Sequence, residues 1–294
     1  MTARSFPRFG SDLSELVADV GVPLVGATLL TRWPSPAHPR AAWRLQFADR
    51  GTLKGVRFNG PTVAGRVERL LRLLGDQHFP PIVARRGSAM LFRWIEGQPP
   101  TDHEAQDGFL RRCALLHGWI HTANVEGPPG GSGESAVDWG ARLETAFNEL
   151  KRFGVDVRSE AATLLPVARE HVPAVAMTGI IHGDFCAENL IVEQGGRLFV
   201  VDNETLQVEA LDYDLARTWY RWPMRCDEWR DYRKAYCEQR DSADFEAHFP
   251  YWAVLVLAES ALWHLARGTA GSAVPLQALR ALGRRDFEAR RGVL

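Results

Sequence analysis

The chain has 294 residues, 46% of them hydrophobic and 24% charged, which suits a globular protein with a sizeable core and excludes a chain dominated by disorder. The formal net charge of -1 gives no overall reason to bind nucleic acid. Four cysteines, Cys113, Cys186, Cys226 and Cys237, form no CxxC pair and no metal-like spacing, so neither a disulfide framework nor a zinc site is expected.

The N-terminal "MTARSFPRFGSDLSE" lacks the apolar core of a secretory signal. The most apolar later stretch, "YWAVLVLAESALWHLA", is interrupted by Glu259 and His264 and reads as a buried helix with no membrane span. A cytoplasmic protein is expected. "PLVGATLLT", "AWRLQFA" and "TLKGVRF" are β-like runs separated by the Pro-rich "RWPSPAHPR" and the turn "DRG", and they predict a three-stranded meander. "PTVAGRVERLLRLLG" opens on Pro and closes on Gly, and Val63, Val67, Leu70, Leu71 and Leu74 share one helical face. "PPIVARRGSAMLFRWIEG" offers two more strands about an Arg-Gly turn. At Gly97-Gln98-Pro99-Pro100 the charge changes sign: residues 1–97 carry 14 Lys and Arg against 7 Asp and Glu, a net of +7, which leaves -8 for residues 98–294. A boundary there separates a small β-rich lobe, 1–97, from a mainly helical lobe, 98–294. Helices are predicted over 103–123, 138–153, 158–171, 226–239, 242–267 and 273–289, and "EGPPGGSGES" reads as a mobile connection.

Between the third and fourth of these helices stands "IIHGDFCAENLIVEQGGRLFVVDNE", residues 180–204. His182, Gly183, Asp184, Glu188 and Asn189 lie between two apolar runs, and a hairpin turning at Gly195-Gly196 returns the chain to Asp202. Phosphoryl transfer needs a carboxylate to accept or orient the proton of an attacking hydroxyl, and oxygen ligands that hold magnesium against nucleotide phosphates. A loop Asp, an Asn five residues on, a hairpin and a second Asp at its end meet that need.

These motifs resemble H-G-D-x-x-x-x-N and hydrophobic-D-x-E of the aminoglycoside phosphotransferase and choline kinase-like family, small-molecule kinases with a two-lobe protein-kinase-like α+β fold. The resemblance implies that Asp184 is the catalytic carboxylate, that Asn189 and Asp202 are Mg²⁺ ligands, and that Glu204 is a third or water-mediated one. "LDYDLAR" is similar to the family's D-x-x-x-D-L-A segment, in which Asp214 would brace the catalytic loop. His182 reads as a packed, hydrogen-bonded support of that loop. His117 and His121 stand four apart on a helix, a spacing zinc could use, yet no third ligand is identifiable, so a core or helix-end role is expected.

The first lobe should then bind the phosphoryl donor, ATP or GTP. Lys54 is the one lysine in residues 1–97 and Glu68 the one acid of the following helix; a phosphate-binding ammonium needs a counter-charge, so the two are expected to pair. Arg57, three residues on, competes with Lys54 from the opposite strand face. No glycine-rich loop joins the first two strands, so Arg32 and Arg40 are candidates to touch phosphate, and Trp94 and Ile95 belong to the connector expected to pair with the purine. Arg217 and Arg221, one turn apart, are candidates for the acceptor pocket.

The expected function is transfer of the γ-phosphate to a hydroxyl of a small molecule. The acidic second lobe favours an acceptor bearing amines, such as an aminoglycoside or other amino sugar, whereas Arg217 and Arg221 favour an anionic or phosphorylated sugar. A metabolite or cell-envelope sugar is the alternative acceptor, and a nucleotide-binding pseudokinase scaffold the alternative of another class.

Overall fold

In a computed structural model, which describes residues 9–31, 40–100, 108–123, 137–242 and 244–284, the first apolar runs fold as the expected meander. Strands β1 (Leu24–Leu29), β2 (Ala41–Phe47) and β3 (Gly51–Arg57) pair antiparallel in sequence order. A helix that the sequence did not predict, α1 (Ser11–Asp19), precedes them; it buries Leu13 and Leu16, and Val17 with Val20 just beyond its end packs on the same core. These two leucines join Trp43, Leu45, Leu53 and Leu91 in one core beneath the sheet. Helix α2 (Pro61–Leu74) buries Ala64, Val67, Leu70, Leu71 and Leu74 as its periodicity requires. β4 (Ile82–Arg86) and β5 (Ala89–Arg93) complete a five-stranded sheet of order β1-β2-β3-β5-β4, and β6 (Gly97–Gln98) follows.

The second half is helical around a small β insertion. Helices α3 (Phe109–Thr122), α4 (Trp139–Arg152) and α5 (Arg158–Glu170) lead to β7 (Thr178–Ile181), then to the hairpin β8 (Leu190–Glu193) and β9 (Leu198–Val200), and to β10 (Gln207–Ala210), which pairs with β7. α6 (Leu211–Arg221), α7 (Cys226–Cys237), α8 (Phe245–Ala266) and α9 (Ala273–Arg284) close the chain. α8 is apolar on all sides and buried from Phe249 to Ala258, which is why α4, α5, α6 and α9 can all pack on it. Among the described residues no helix is long and apolar enough to cross a membrane. The first turns of the helix expected from 103, the end of the one expected to 289, most of "RWPSPAHPR" with Arg32, and "EGPPGGSGES" lie outside the described residues.

The chain folds as two compact units, residues 1–100 with 188–207, and residues 101–187 with 208–294. The β8–β9 hairpin thus belongs with the first sheet, and β6 pairs antiparallel with β8 within that unit. The division falls inside the polar loop, after Ala187.

Candidate active site

In the first unit, alternation along β3 sends Lys54 to one face of the sheet and Arg57 to the other. Arg57 lies under α1, its guanidinium 5.8 Å from the Trp43 ring and donating to the Phe9 carbonyl at 3.4 Å. Lys54 faces the end of β9. Its ammonium donates to Asp202 at 3.1 Å and stands 3.3 Å from Glu204, and Arg40 reaches both carboxylates at 3.4 Å. Burial alone would push the Lys54 ammonium toward neutrality, but Glu204 and Asp202 overcome it and raise its pKa. Burial likewise opposes ionisation of Asp202, and Lys54 and Arg40 hold its carboxyl well below the usual range. Two anions and two cations thus form one nearly neutral cluster.

Asp202 is the one non-glycine among the described residues with positive φ, at φ 63 and ψ 41. Aspartate tolerates this left-handed conformation better than most residues, at a cost of about 1–3 kcal/mol in local strain. The reversal turns the chain directly into Asn203 and Glu204, so that two carboxylates two residues apart converge. Glu204 is 3% exposed, and its Oε1, although near Lys54, has no hydrogen-bond partner. A buried carboxylate oxygen in that condition, beside a second carboxylate, offers the hard oxygen donors that suit magnesium. Asn189, buried beside β8, accepts from the Val201 amide through its backbone carbonyl at 2.8 Å. Lys54, Asp202, Asn203 and Glu204 line a pocket with Phe58, Pro80 and Phe92.

The expected Lys54–Glu68 pair is not formed. Glu68 instead holds Arg85 of β4 at 2.7 Å and Arg72, one turn along α2, at 2.8 Å. A partly exposed helix glutamate takes the cations nearest its own stem, and Lys54 already has two carboxylates on its side of the sheet. Trp94 lies under Arg44 at 4.8 Å and Ile95 is buried; neither lines the pocket.

In the second unit, β7 delivers His182 and Gly183 to the buried carboxylate of Asp214 on α6. Asp214 accepts the His182 amide on Oδ2 and the Gly183 amide on Oδ1, both at 2.9 Å. Gly183 has φ 77, which lets both amides point the same way. His117 and His121 of α3 each approach Oδ2 of Asp214 at 3.2 Å through Nε2, while their Nδ1 atoms meet the hydroxyls of Tyr232 at 2.9 Å and Tyr236 at 2.7 Å on α7. Asp214 is therefore the third group the histidine spacing lacked. Assigned from these partners, each ring donates from Nε2 and accepts at Nδ1, which makes it a hydrogen-bonding brace of Asp214. Burial, then repulsion from His121, pushes the His117 pKa down to about 4.

Asp184 follows at once. Its Oδ1 accepts from Arg217 Nη2 at 3.1 Å and from Arg221 Nε at 2.9 Å. Burial raises the pKa of this carboxyl, but the two arginines outweigh it and keep the group anionic. Arg217 also donates to Ser260 of α8 at 3.0 Å. Sequence reasoning placed both arginines near the site; it missed their bond to Asp184 and the role of the tyrosines. A signal existed for the latter, because Tyr232 and Tyr236 repeat the four-residue spacing of His117 and His121, as two helix faces in contact would.

The sequence matches the model of the phosphotransferase enzyme family (APH) over residues 19–250. No curated protein matches it. Among solved structures, choline kinase LicA from Streptococcus pneumoniae is similar with a TM-score of 0.68 at 13% identity, over 92% of this chain and 98% of that chain. Macrolide 2'-phosphotransferase MphH from Brachybacterium faecium gives 0.62 at 19% identity, over 92% and 98%. An aminoglycoside-3'-phosphotransferase of type VIII gives 0.53 at 18%, over 83% and 97%. A second LicA structure is a complex with AMP. These likenesses carry the fold, and the family model, matching most of the chain including the polar loop, the hairpin and Asp214, carries the class: the chain belongs to the phosphotransferase enzyme family and is a small-molecule kinase with a protein-kinase-like fold.

Proposed function

We propose that this kinase transfers the γ-phosphate of ATP or GTP to a hydroxyl of a small molecule, with residues 1–97 as the nucleotide-binding lobe and 98–294 as the catalytic and acceptor-binding lobe. The observation that carries the reading is the buried cluster of Lys54, Arg40, Asp202 and Glu204, built on a left-handed aspartate. Lys54 and Arg40 would bind phosphate oxygens. Asp202, Asn189 and Glu204 would hold Mg²⁺, which when bound neutralises charge on the triphosphate. Asp184 accepts the proton of the acceptor hydroxyl as its oxygen bonds to the γ-phosphorus and the diphosphate leaves. A carboxylate of depressed pKa is a weak base, which suffices where proton transfer lags behind cleavage of the bond to the leaving group. His182 and Asp214 position the loop. Trp94 and Ile95 would flank the base through the connector, and the AMP seen in LicA supports an adenine nucleotide. Glu68 would act only through α2.

A reaction that consumes a nucleoside triphosphate fits the cytoplasm, and four free thiols suit a reducing compartment. An amine-bearing acceptor, expected from the acidic second lobe, is supported only by a charge sum over 197 residues at its surface and interior alike. The test is release of ADP or GDP, with and without magnesium, across a panel of hydroxyl compounds. Nucleotide binding with no release on any of them would favour a pseudokinase scaffold.

A further inference from the structure

The charges nearest Asp184 differ in sign from the lobe that carries them. Both Arg217 and Arg221 converge on one oxygen of one carboxylate, so two guanidiniums share a single direct acceptor there. Arg217 is anchored through Ser260, and its buried Nε has no hydrogen-bond partner. Arg221 is the more exposed of the two, at 34% against 18%, and its Nη2 also lies 4.0 Å from Cys186 Sγ. At the end of α8, Arg267 lies over the Trp263 ring at 3.8 Å. The intervening His264 is pushed toward its neutral form by burial and then by Arg221, Arg267 and Arg217, with Asp184 the opposing charge.

Of the acids packed nearby, Asp214 offsets part of the charge on Arg217 and is itself taken up by the His182 and Gly183 amides. Glu259 is engaged by Arg142 through two bonds of 2.7 and 3.0 Å, and Arg142 also takes Glu209 at 3.0 Å. An ammonium brought to Asp184 would meet like charges, whereas an anionic oxygen would complete the donor forks of the two arginines. Resting on the kinase reading above, we propose that the acceptor hydroxyl belongs to an anionic molecule, a carboxylate or phosphate ester whose charged group is bound by Arg221 and Arg217 beside Asp184.

The experiment titrates the full chain, its nucleotide site filled with ADP and magnesium, with inorganic phosphate and with glucose 6-phosphate, glucose and glucosamine, a series matched in shape and graded in charge. Phosphate and glucose 6-phosphate should bind saturably and glucosamine should not. R221A should weaken the anions by about tenfold or more, as loss of a charge-assisted bond does, and R221K should restore part of it. R221Q, uncharged but of similar reach, replaces R221A should that variant melt early. Anions that bind no better than glucosamine, or that bind R221A as they bind the wild type, overturn the proposal. Failure of the kinase reading is a separate result, absence of magnesium-dependent ADP release on any hydroxyl compound, and it leaves the R221A comparison still decisive for the anion site.

Discussion

Two guanidiniums on one oxygen of Asp184 keep that residue in the anionic form a proton acceptor needs. Asp184→Asn keeps the shape and deletes the proton acceptor; turnover should fall about a hundredfold or more while nucleotide binding, measured by calorimetry, is retained. A near-normal rate would remove Asp184 from the mechanism. On the sheet, Lys54→Ala strips Asp202 and Glu204 of their nearest cation and should raise the Michaelis constant for ATP and lower turnover. Glu68→Ala should leave ATP use close to wild type, since Glu68 holds Arg85 and Arg72 in a partly exposed pair of the kind that contributes about 0–1 kcal/mol. A Glu68 defect matching that of Lys54 would mean that the two residues meet during turnover. From strand alternation it was legible that only one of Arg57 and Lys54 can face the cleft, and the choice fell on the one lysine of residues 1–97, Lys54. Its partner was not, because which acid lies across from a strand residue depends on the return of a hairpin 148 residues away in sequence.

At the scale of elements, α3 and α7 form the frame that holds the loop at Asp214. Two histidines on one helix meet two tyrosines on the other, at equal spacing, and all four are buried. A neutral His117 in this frame has a consequence for pH. The unfolded chain takes up a proton near pH 6.5, but the folded protein does so only near pH 4, so between those values the unfolded state binds the extra proton and stability falls as pH falls. The contribution is of order 3 kcal/mol, fully present above pH 6.5 and lost by about pH 4. His117→Gln should lower stability at pH 7 by about 1–3 kcal/mol through an imperfect buried bond, yet flatten the slope between pH 6.5 and 4. Thermal unfolding at pH 7 and pH 5 measures both effects. An unchanged slope in the variant would assign the acid sensitivity to other groups. The histidine pair was visible in the sequence as a spacing, but its meaning depended on Asp214, 93 residues beyond His121 and facing it only because α6 packs where it does.

For the whole molecule, the strands, the hairpin and most helices were legible because their apolar periodicity is sustained over many residues; α8, apolar on every side, could be recognised by length and composition though not by a face. α1 was missed although Leu13, Leu16, Val17 and Val20 repeat at helical spacing, because that pattern spans only two turns of a short helix whose burial depends on the sheet it covers. That sheet and the hairpin 188–207 form one compact unit, so a ligand held by Lys54, Asp202 and Glu204 should bind the folded chain and not the unfolded one. Binding at a hundred times the dissociation constant then adds about 2.7 kcal/mol to stability. ATP with magnesium should therefore raise the melting temperature by several degrees, and magnesium alone should not, because Lys54 and Arg40 already balance the carboxylates. Asp202→Ala should lose the part of the shift that depends on magnesium. Asp184→Asn should keep all of it, since Asp184 is assigned to the acceptor proton and not to the nucleotide. The pattern across the two variants separates binding from chemistry in a single melting experiment. A full magnesium-dependent shift in Asp202→Ala would withdraw Asp202 as a metal ligand, while its loss in Asp184→Asn would move Asp184 from proton acceptor to metal ligand.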